Sequence, residues 1–342
     1  MITSLVSSLG DKHSSYFPPK EATDFSDTLR GDFEGIGAVI DENPKGIKIQ
    51  KVLEGSPAEK GGLKNGDIIT MVDTTSLVGF TADEAVQKIR GPKGSKITIS
   101  YLRGDDENVQ KVEIIRDIVL IPSTQEKIFT GSKIGYLEVG FFGEHTTQEF
   151  EKSLKNLTNS GAEGIILDFR NNPGGFLDSA VEILSIVLPV DTAAVITREN
   201  DARKNQTLYT IGGKFSNTQV PIVMLINEYS ASASEIVAGA LQDYERAILI
   251  GEKTYGKGSV QSPFVLSDGS ILKLTIGRWY TPKDRGIDQE GIHPDISIVL
   301  KDEDYKNAYD RQLEGAKKVM QELLKSKGDV PKTIESMKNT TF

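Results

Sequence analysis

The chain of 342 residues contains no cysteine. Disulfide bonds, a thiolate nucleophile and a cysteine-ligated metal are therefore excluded. Histidine is almost as scarce, since only His13, His145 and His293 occur and they lie far apart in the sequence. No HExxH or EF-hand pattern is present, so a dedicated metal site is not expected. The sequence predicts a protein that works without a metal or another cofactor.

Long apolar runs and basic clusters are also missing. No apolar stretch reaches the roughly 18 residues of a transmembrane helix, and the opening MITSLVSSLGDKHSSYF lacks the regions of a signal peptide. We expect the chain to be part of a longer protein, with a targeting segment or membrane tether before Met1. The net charge of -9 and the lack of a basic block argue against nucleic acid as a partner.

The pattern of apolar residues divides the chain into four predicted segments. Residues 1–30 are polar and helical in tendency. Residues 31–117 consist of short strand-like runs with Gly and Asp turns, which is typical of a small β-rich domain. Residues 118–300 alternate strands and helices, which predicts an α/β domain with a largely parallel sheet, and residues 259–282 within it read as a hairpin with DG as its turn. Residues 301–342 are charged and helical in period, and we expect them to be peripheral.

The most informative stretch of the first half is VLEGSPAEKGGLKNGDIITMVD, residues 52–73. Its order of strand, turn, short helix and a new strand led by Gly-Asp resembles a PDZ domain. The resemblance covers residues 33–117. It places GIGAVI, residues 35–40, at the carboxylate-binding loop of such a domain, and TADEAVQKIR at the helix on the far side of the groove.

The glycine turn in GIGAVI has a chemistry that suits this resemblance. Successive backbone N–H groups in such a turn can hold a terminal carboxylate, and the edge of the next strand can pair with a peptide. Glycine also allows the backbone to approach a ligand closely. We expect Gly35, Ile36 and Gly37 to contact the carboxyl end of a peptide. An ordinary glycine turn is the alternative.

A serine cluster in the second half lies between a predicted strand, PIVMLIN, and a predicted helix, SASEIVAGAL. The carboxyl end of a strand and the amino end of a helix form the usual ligand site of α/β sheets, and free N–H groups there favour negative charge. A nucleophilic Ser232 would therefore have backbone donors for an oxyanion. The same residues also fit a capping box, with Ser232 as cap and Glu235 at the third helical position. The residues alone leave both interpretations open.

The stretch GEKTYGKGSVQ, residues 251–261, carries Lys257 near its centre. Its start fits the phosphate-binding motif G-x-x-x-x-G-K, but Gly258 replaces the required Ser or Thr and a strand-like segment follows instead of a helix. A lysine kept neutral by burial can instead serve as the base for a serine. No histidine is near either element in the sequence. The glycine turn of IILDFRNNPGG, residues 165–175, can aim an N–H group at the same crevice.

The segments SASASE, GxxTxGKGxxQ and LDFRNNPGG, with the PDZ-like stretch before them, together resemble the carboxyl-terminal processing proteases, also called tail-specific proteases. The resemblance runs in consistent order from about residue 10 to residue 300. It implies an inserted or preceding PDZ domain, a crotonase-like α/β protease core and helical terminal segments.

The resemblance also implies roles for individual residues. Ser232 would be the nucleophile, Lys257 the general base, and Gln261 the residue that orients the lysine. The backbone N–H groups of Gly175 and Ala233 would form the oxyanion hole.

For the whole protein, the family implies a serine endopeptidase that cleaves proteins after its PDZ domain has recognised their C-terminus. Arg90, in KIRGPKG, would take part in gating the active site, although R-G-P also suits a surface turn. The expected partners are protein or peptide substrates bound through their C-terminus and a second copy of the chain, paired through the terminal helices. The expected location is outside the cytoplasm, in the bacterial cell envelope or an equivalent compartment.

Two other functions compete with a protease. One is a non-catalytic PDZ scaffold that binds peptides, and the presence of Ser232, Lys257 and Gln261 together argues against it. The other is a crotonase-type enzyme acting on an acyl thioester, and the attached PDZ-like segment argues against that.

Overall fold

The computed structural model describes residues 2–104, 108–213, 215, 220–338, 340 and 342. The chain forms two compact units. The smaller unit is Gly31–Ile121, and the larger unit combines Met1–Arg30 with Pro122–Phe342. Among the described residues, no helix has both the length and the apolar character needed to cross a membrane.

Strands occur in both units. In chain order they are β1 Ser15–Phe17, β2 Asp32–Gly35, β3 Ala38–Asn43, β4 Gly46–Val52, β5 Ile68–Val72, β6 Thr75–Ser76, β7 Lys96–Leu102, β8 Gln110–Ile115, β9 Asp117–Leu120, β10 Thr124–Ile128, β11 Ile134–Val139, β12 Gly164–Asp168, β13 Ala193–Glu199, β14 Gln206–Tyr209, β15 Ile222–Ile226, β16 Ala247–Gly251, β17 Ser259–Val265, β18 Ile271–Tyr280 and β19 Ile296–Ser297.

The helices lie mostly in the larger unit. In chain order they are α1 Ile2–Ser7, α2 Pro19–Arg30, α3 Pro57–Lys60, α4 Ala82–Ile89, α5 Thr146–Asn159, α6 Leu177–Val187, α7 Ala233–Asp243, α8 Asp302–Lys306, α9 Arg311–Lys325 and α10 Val330–Met337, with a 3-10 turn at Ala202–Lys204.

A mostly parallel sheet organises the larger unit, with strand order β10-β11-β12-β15-β16-β19. Strand β10 is antiparallel to β11, and the pairs from β11 to β19 are parallel. Every residue of β15 is buried, and its side chains alternate between two cores: Met224 belongs to one and Val223 to the other. The unbroken apolar sequence of this strand follows from the burial of both sheet faces.

Helices cover the two faces of this sheet. The first core contains buried residues of α5, α6 and α7. The second contains Ala316, Val319, Met320 and Leu323 of α9, all fully buried. The expectation that residues 301–342 are peripheral is therefore wrong for α9. Its apolar stripe has an i, i+3, i+4, i+7 spacing, which is the pattern of a helix that packs on a core.

A second sheet of the larger unit has the order β1-β18-β13-β14, and β17 also pairs with β18. Strands β17 and β18 are antiparallel, which confirms the hairpin predicted at residues 259–282. Strand β1 lies against β18, with Ser15 opposite Lys273. This pairing ties the start of the described chain to the segment that follows Lys257.

The smaller unit contains a sheet of order β3-β4-β5-β7-β8 and a two-stranded sheet of β2 and β9. Helix α4 begins with a capping box between Thr81 and Glu84, a device that satisfies two free N–H groups at once. A buried core of isoleucine, leucine and alanine side chains fills this unit. The short strands and two helical pieces predicted for residues 31–117 are present.

Candidate active site

Ser232 lies at the sharp turn between β15 and α7. Its backbone angles are φ 56° and ψ -116°, a conformation that is strained for a residue with a side chain and is characteristic of nucleophile turns. The N–H of Glu235 donates to the main-chain carbonyl oxygen of Ser232 at 2.8 Å. The Ser232 hydroxyl makes no cap hydrogen bond. The Glu235 half of the predicted capping box is present, because its carboxylate accepts the Ser232 N–H at 2.8 Å, whereas within the described chain no helix N–H is seen to donate to the Ser232 hydroxyl.

Glu235 occupies the interior of this turn and is fully buried. Its Oε2 accepts hydrogen bonds from the N–H groups of Ser232 at 2.8 Å and of Lys257 at 2.9 Å. Its Oε1 accepts from the Thr254 hydroxyl at 2.6 Å and the Gly256 N–H at 2.7 Å. Burial raises the pKa of Glu235 above its ordinary value, and these four hydrogen bonds oppose that rise. One carboxylate thus holds the main chains of Ser232 and Lys257 side by side.

Lys257 lies in the loop between β16 and β17. Its carbonyl oxygen accepts the indole N–H of the buried Trp279 at 2.9 Å, which fixes the loop to β18. Burial lowers the pKa of Lys257 below its ordinary value, and the positive charge of Lys273 lowers it further, whereas Glu235 opposes the change. A lysine in this environment carries its proton weakly and can become a base.

A glycine turn adjoins Ser232. Gly174 has φ +95°, and a Cβ built there would lie 2.8 Å from the Ser232 Cβ and 3.0 Å from the Ala233 nitrogen. Gly175 has φ +149°, and a Cβ there would lie 2.1 Å from the Phe142 carbonyl oxygen. Only glycine fits either position. In the part of the chain that the structure describes, the N–H groups of Gly175 and Ala233 donate no hydrogen bond.

Asn172 fastens this glycine turn to the serine turn. Its side-chain amide donates to the Val139 carbonyl at 2.7 Å, and its side-chain oxygen accepts the Gly174 N–H at 2.9 Å. Its carbonyl oxygen accepts the Ala231 N–H and the Ser234 hydroxyl, both at 3.0 Å. Asn172 is fully buried. Its role could not be predicted from the sequence, because a single asparagine in a loop gives no signal of partners that are distant in the chain.

Gln261 lies on β17 at a bulge between Val260 and Gln261. Its side-chain amide donates to the Ser259 hydroxyl at 2.7 Å. Across the described residues, no hydrogen bond joins Gln261 to Lys257. The structure therefore places Gln261 in the segment that follows the lysine without the contact that an orienting residue would make.

An open cavity of about 630 Å³ lies beside these elements. Its lining includes Lys257 and a histidine, although no histidine is near the serine or lysine segment in the sequence. His13 reaches the cavity because β1 pairs with β18. Burial lowers the pKa of His13, and the charge of Lys257 lowers it further. The lining residues are His13, Asn171, Pro173, Tyr229, Ala231, Tyr255 and Lys257.

The two remaining histidines lie apart from this cavity. His145 precedes α5, and His293 lies in the segment before β19. Neither lines the cavity. Within the described ranges, no group of three or more His, Asp or Glu side chains is arranged to hold a metal ion.

The predicted peptide-binding residues of the smaller unit lie where β2 leads into β3: Gly35 is the last residue of β2, and Ile36 and Gly37 precede β3. Ile36 is buried in the core of this unit. Gly37 has φ +80°, and a Cβ there would lie 2.4 Å from the Ser56 Cβ, so a larger residue would collide. The N–H groups of Ile36 and Gly37 donate no hydrogen bond to other described residues. They are donors that a carboxylate can use.

Arg90 follows α4 in the same unit. Its guanidinium lies over the Phe33 ring, 4.9 Å from the ring centroid, which is the geometry of a cation–π contact. A Cβ built on Gly35 would lie 3.9 Å from the Arg90 Cγ. Arg90 therefore lies close to the start of the predicted carboxylate loop.

Comparison with known families gives two matches. The model described as Peptidase family S41 matches residues 133–298, and the model described as PDZ domain matches residues 28–102. The first match contains Ser232, Lys257 and Glu235. The second contains the glycine turn of the smaller unit.

Individual relatives agree with these families. The chain is 36% identical over 320 residues to the carboxy-terminal processing protease CtpB of Bacillus subtilis, which covers 93% of this chain and 66% of that protein. It is 35% identical over 298 residues to a probable CtpA-like serine protease of Staphylococcus epidermidis, which covers 87% of this chain and 60% of that protein. The chain thus spans less than two thirds of the length of these curated relatives.

A solved structure described as photosystem II D1 C-terminal processing protease is also similar. It is 27% identical, with a TM-score of 0.52, over 93% of this chain and 84% of that chain. The order of a PDZ unit within an α/β unit, the strained serine turn and the relatives all agree. The chain belongs to peptidase family S41, among the PDZ-containing carboxy-terminal processing proteases.

Proposed function

We propose that this chain is a serine endopeptidase in which Ser232 is the nucleophile and Lys257 the general base. The observation that carries the proposal is the Glu235 carboxylate, which binds the main-chain N–H groups of both residues with one oxygen atom. This arrangement brings a strained, uncapped serine and a lysine of lowered pKa to the same edge of the sheet. A nucleophile and a neutral base in one place are the requirements of covalent acyl transfer.

The reaction begins when the Ser232 Oγ attacks the carbonyl carbon of a peptide bond. The neutral Lys257 amine takes the hydroxyl proton, and the carbonyl oxygen becomes an oxyanion. The N–H groups of Gly175 and Ala233 are the donors we assign to that oxyanion, since a preorganised donor of this kind contributes about 3 kcal/mol. The tetrahedral intermediate then releases the amine, which receives the proton from Lys257. Water, deprotonated by the same lysine, hydrolyses the acyl-enzyme and frees Ser232.

We assign substrate selection to the smaller unit, as a PDZ domain that binds the C-terminus of a protein. Gly35, Ile36 and Gly37 form its carboxylate loop in this proposal, and the edge of β3 receives the peptide as an added strand. The free N–H groups of Ile36 and Gly37 support this assignment. The remaining expectations stay predictions: orientation of Lys257 by Gln261, gating by Arg90, pairing of two copies through the terminal helices, and an extracytoplasmic location with a tether before Met1.

A peptide with a free apolar C-terminus is expected to bind the full chain at least about tenfold more tightly than its C-amidated form. Amidation removes the charge and one acceptor oxygen, and charge-assisted hydrogen bonds are the stronger kind. Fluorescence anisotropy with the Ser232→Ala variant measures both affinities without cleavage. Gly37→Ala is expected to weaken the binding of the free-acid peptide, because its Cβ would meet Ser56. Equal affinity for the two peptide forms would rule out carboxylate recognition.

The proposed activity is tested with the purified wild-type chain. We expect it to degrade casein, an unstructured protein, and to become labelled by a fluorophosphonate at Ser232, as located by mass spectrometry. Binding of free-acid peptides without cleavage or labelling would favour the scaffold. Hydrolysis of acyl thioesters without peptide cleavage would favour a crotonase-type enzyme.

A further inference from the structure

Two exposed tyrosines border the cavity that contains Lys257. Tyr229 is 61% exposed and Tyr255 is 58% exposed. Both line the cavity, and in the described structure neither phenol hydroxyl has a hydrogen-bond partner. Large exposed aromatic residues beside a cavity are typical of recognition sites, since their rings offer much contact area at a small cost in side-chain entropy.

The loops that carry these tyrosines are fixed in position. The Tyr255 N–H donates to the Ser230 carbonyl at 3.0 Å, which joins the lysine loop to the serine turn. The Tyr229 N–H donates to the Asn227 side-chain oxygen at 3.2 Å. The rings are therefore presented by a rigid support, a condition for selecting among ligands.

The rest of the lining has an apolar wall and a basic end. Pro173 and Ala231 are apolar, and Ala231 immediately precedes Ser232. Lys257 and His13 occupy the same cavity, and Lys273 adds positive charge to the surroundings of both. The acidic groups near His13 are Asp11 and Asp288. Among these, Asp11 is held by the Ser14 hydroxyl at 2.5 Å, and Asp288 forms an ion pair with Arg278.

We propose that this cavity binds the substrate side chain next to the scissile bond and selects bulky apolar side chains over cationic ones. The inference rests on the proposed protease function. The rings of Tyr229 and Tyr255 and the wall at Pro173 and Ala231 bury an aromatic or branched aliphatic side chain. A lysine or arginine side chain would lose hydration of its charge in the cavity without gaining an acidic partner, since no Asp or Glu is among the described lining residues.

The test uses two series of internally quenched peptides that carry a free C-terminus. In each series one residue that flanks the scissile bond is Phe, Leu, Ala, Lys or Glu. In one of the two series, the wild-type kcat/KM is expected to be at least about tenfold higher for Phe and Leu than for Ala, and lowest for Lys. Tyr229→Ala and Tyr255→Ala are each expected to lower kcat/KM for the Phe peptide five- to tenfold and to change it less than twofold for the Ala peptide.

Controls separate this inference from a general loss of structure or activity. Tyr229→Phe and Tyr255→Phe keep the rings and should keep the preference. Tyr305→Ala removes another exposed tyrosine, in α8, that does not line the cavity, and it should leave both series unchanged.

Fluorophosphonate labelling of Ser232 reports on the proposed function by itself. Normal labelling and casein cleavage with equal kcat/KM across both series, or with a preference that the tyrosine variants retain, would overturn the inference and leave the protease intact. No labelling and no cleavage by the wild-type chain would overturn both.

Discussion

Lys257→Met is expected to lower kcat/KM for peptide hydrolysis about 10⁴-fold or more. Methionine has a similar length but cannot take the proton from the Ser232 hydroxyl. Catalytic groups that act as a unit lose most of their effect when one is removed. The measurement is casein and quenched-peptide hydrolysis by the purified variant. Lys253→Met is the matched control, because Lys253 is an exposed lysine of the same loop and its loss should leave kcat/KM within about twofold.

For the same variant we expect no loss of stability. Because burial lowers the pKa of Lys257, the folded chain binds this proton less tightly than the unfolded chain does. At neutral pH the lysine therefore reduces the free energy of unfolding, and this reduction fades as the pH rises from the lowered pKa of the folded chain to the ordinary pKa of lysine. Lys257→Met should have an equal or higher melting temperature at pH 7.

The wild-type pH profile tests the lowered pKa. Only the neutral amine can act as a base, so kcat/KM should rise with pH, with a midpoint below the ordinary pKa of lysine. Substantial hydrolysis by purified Lys257→Met, with the same rising limb, would show that another group is the base. His13 would then be the group to test, because it shares the cavity.

Glu235→Gln is expected to reduce both stability and activity. Both carboxylate oxygens accept two hydrogen bonds each, and three of the four donors are main-chain N–H groups. A glutamine presents one oxygen and one NH₂ group, so whichever end carries the NH₂ group faces at least one N–H donor. Leaving a buried polar group unsatisfied or breaking a buried charged network costs about 2–4 kcal/mol.

The loss of activity should exceed the loss of folded protein. If the Ser232 and Lys257 main chains separate by even about 1 Å, a rate loss on the order of 10²-fold is expected. Urea unfolding measures the first effect, and kcat/KM at a temperature where the variant is fully folded measures the second. Glu228→Gln, an exposed glutamate of the serine loop, is the control. A stable and fully active Glu235→Gln would refute a positioning role for this carboxylate.

Much of the fold was predictable from local patterns. The unbroken apolar run of β15 indicated a strand buried on both faces, and the DG turn indicated the hairpin of β17 and β18. Such signals depend on residues that are close in sequence. They also located Ser232 at the strand–helix junction. They failed for α9, a helix rich in charged residues whose Ala316, Val319 and Met320 are buried in the core. The spacing of apolar residues along a helix does not show against which part of the protein that helix packs.

The candidate site, like the fold, was predictable from the sequence only in part. The order of Ser232, Lys257 and Gln261 predicted a serine–lysine chemistry through its resemblance to the carboxyl-terminal processing proteases, since the sequence alone is enough to recognise a motif. The sequence left open whether Ser232 was only a helix cap, and in the folded turn the Glu235 N–H donates to the main-chain carbonyl of Ser232 at 2.8 Å.

The contacts of Glu235, Asn172 and His13 with the candidate site are visible only in the tertiary structure. Glu235 joins Ser232 and Lys257, which are 25 positions apart in the chain. Asn172 reaches β11 and the serine turn, and His13 arrives through the pairing of β1 with β18. Tyr229 and Tyr255 line one cavity, and a hydrogen bond from the Tyr255 N–H to the Ser230 carbonyl joins their two loops. Each of these contacts depends on long-range packing, which fixes distances that no local pattern encodes. The sequence determined which residues have the chemistry that a protease needs, and the fold determined which of them lie side by side.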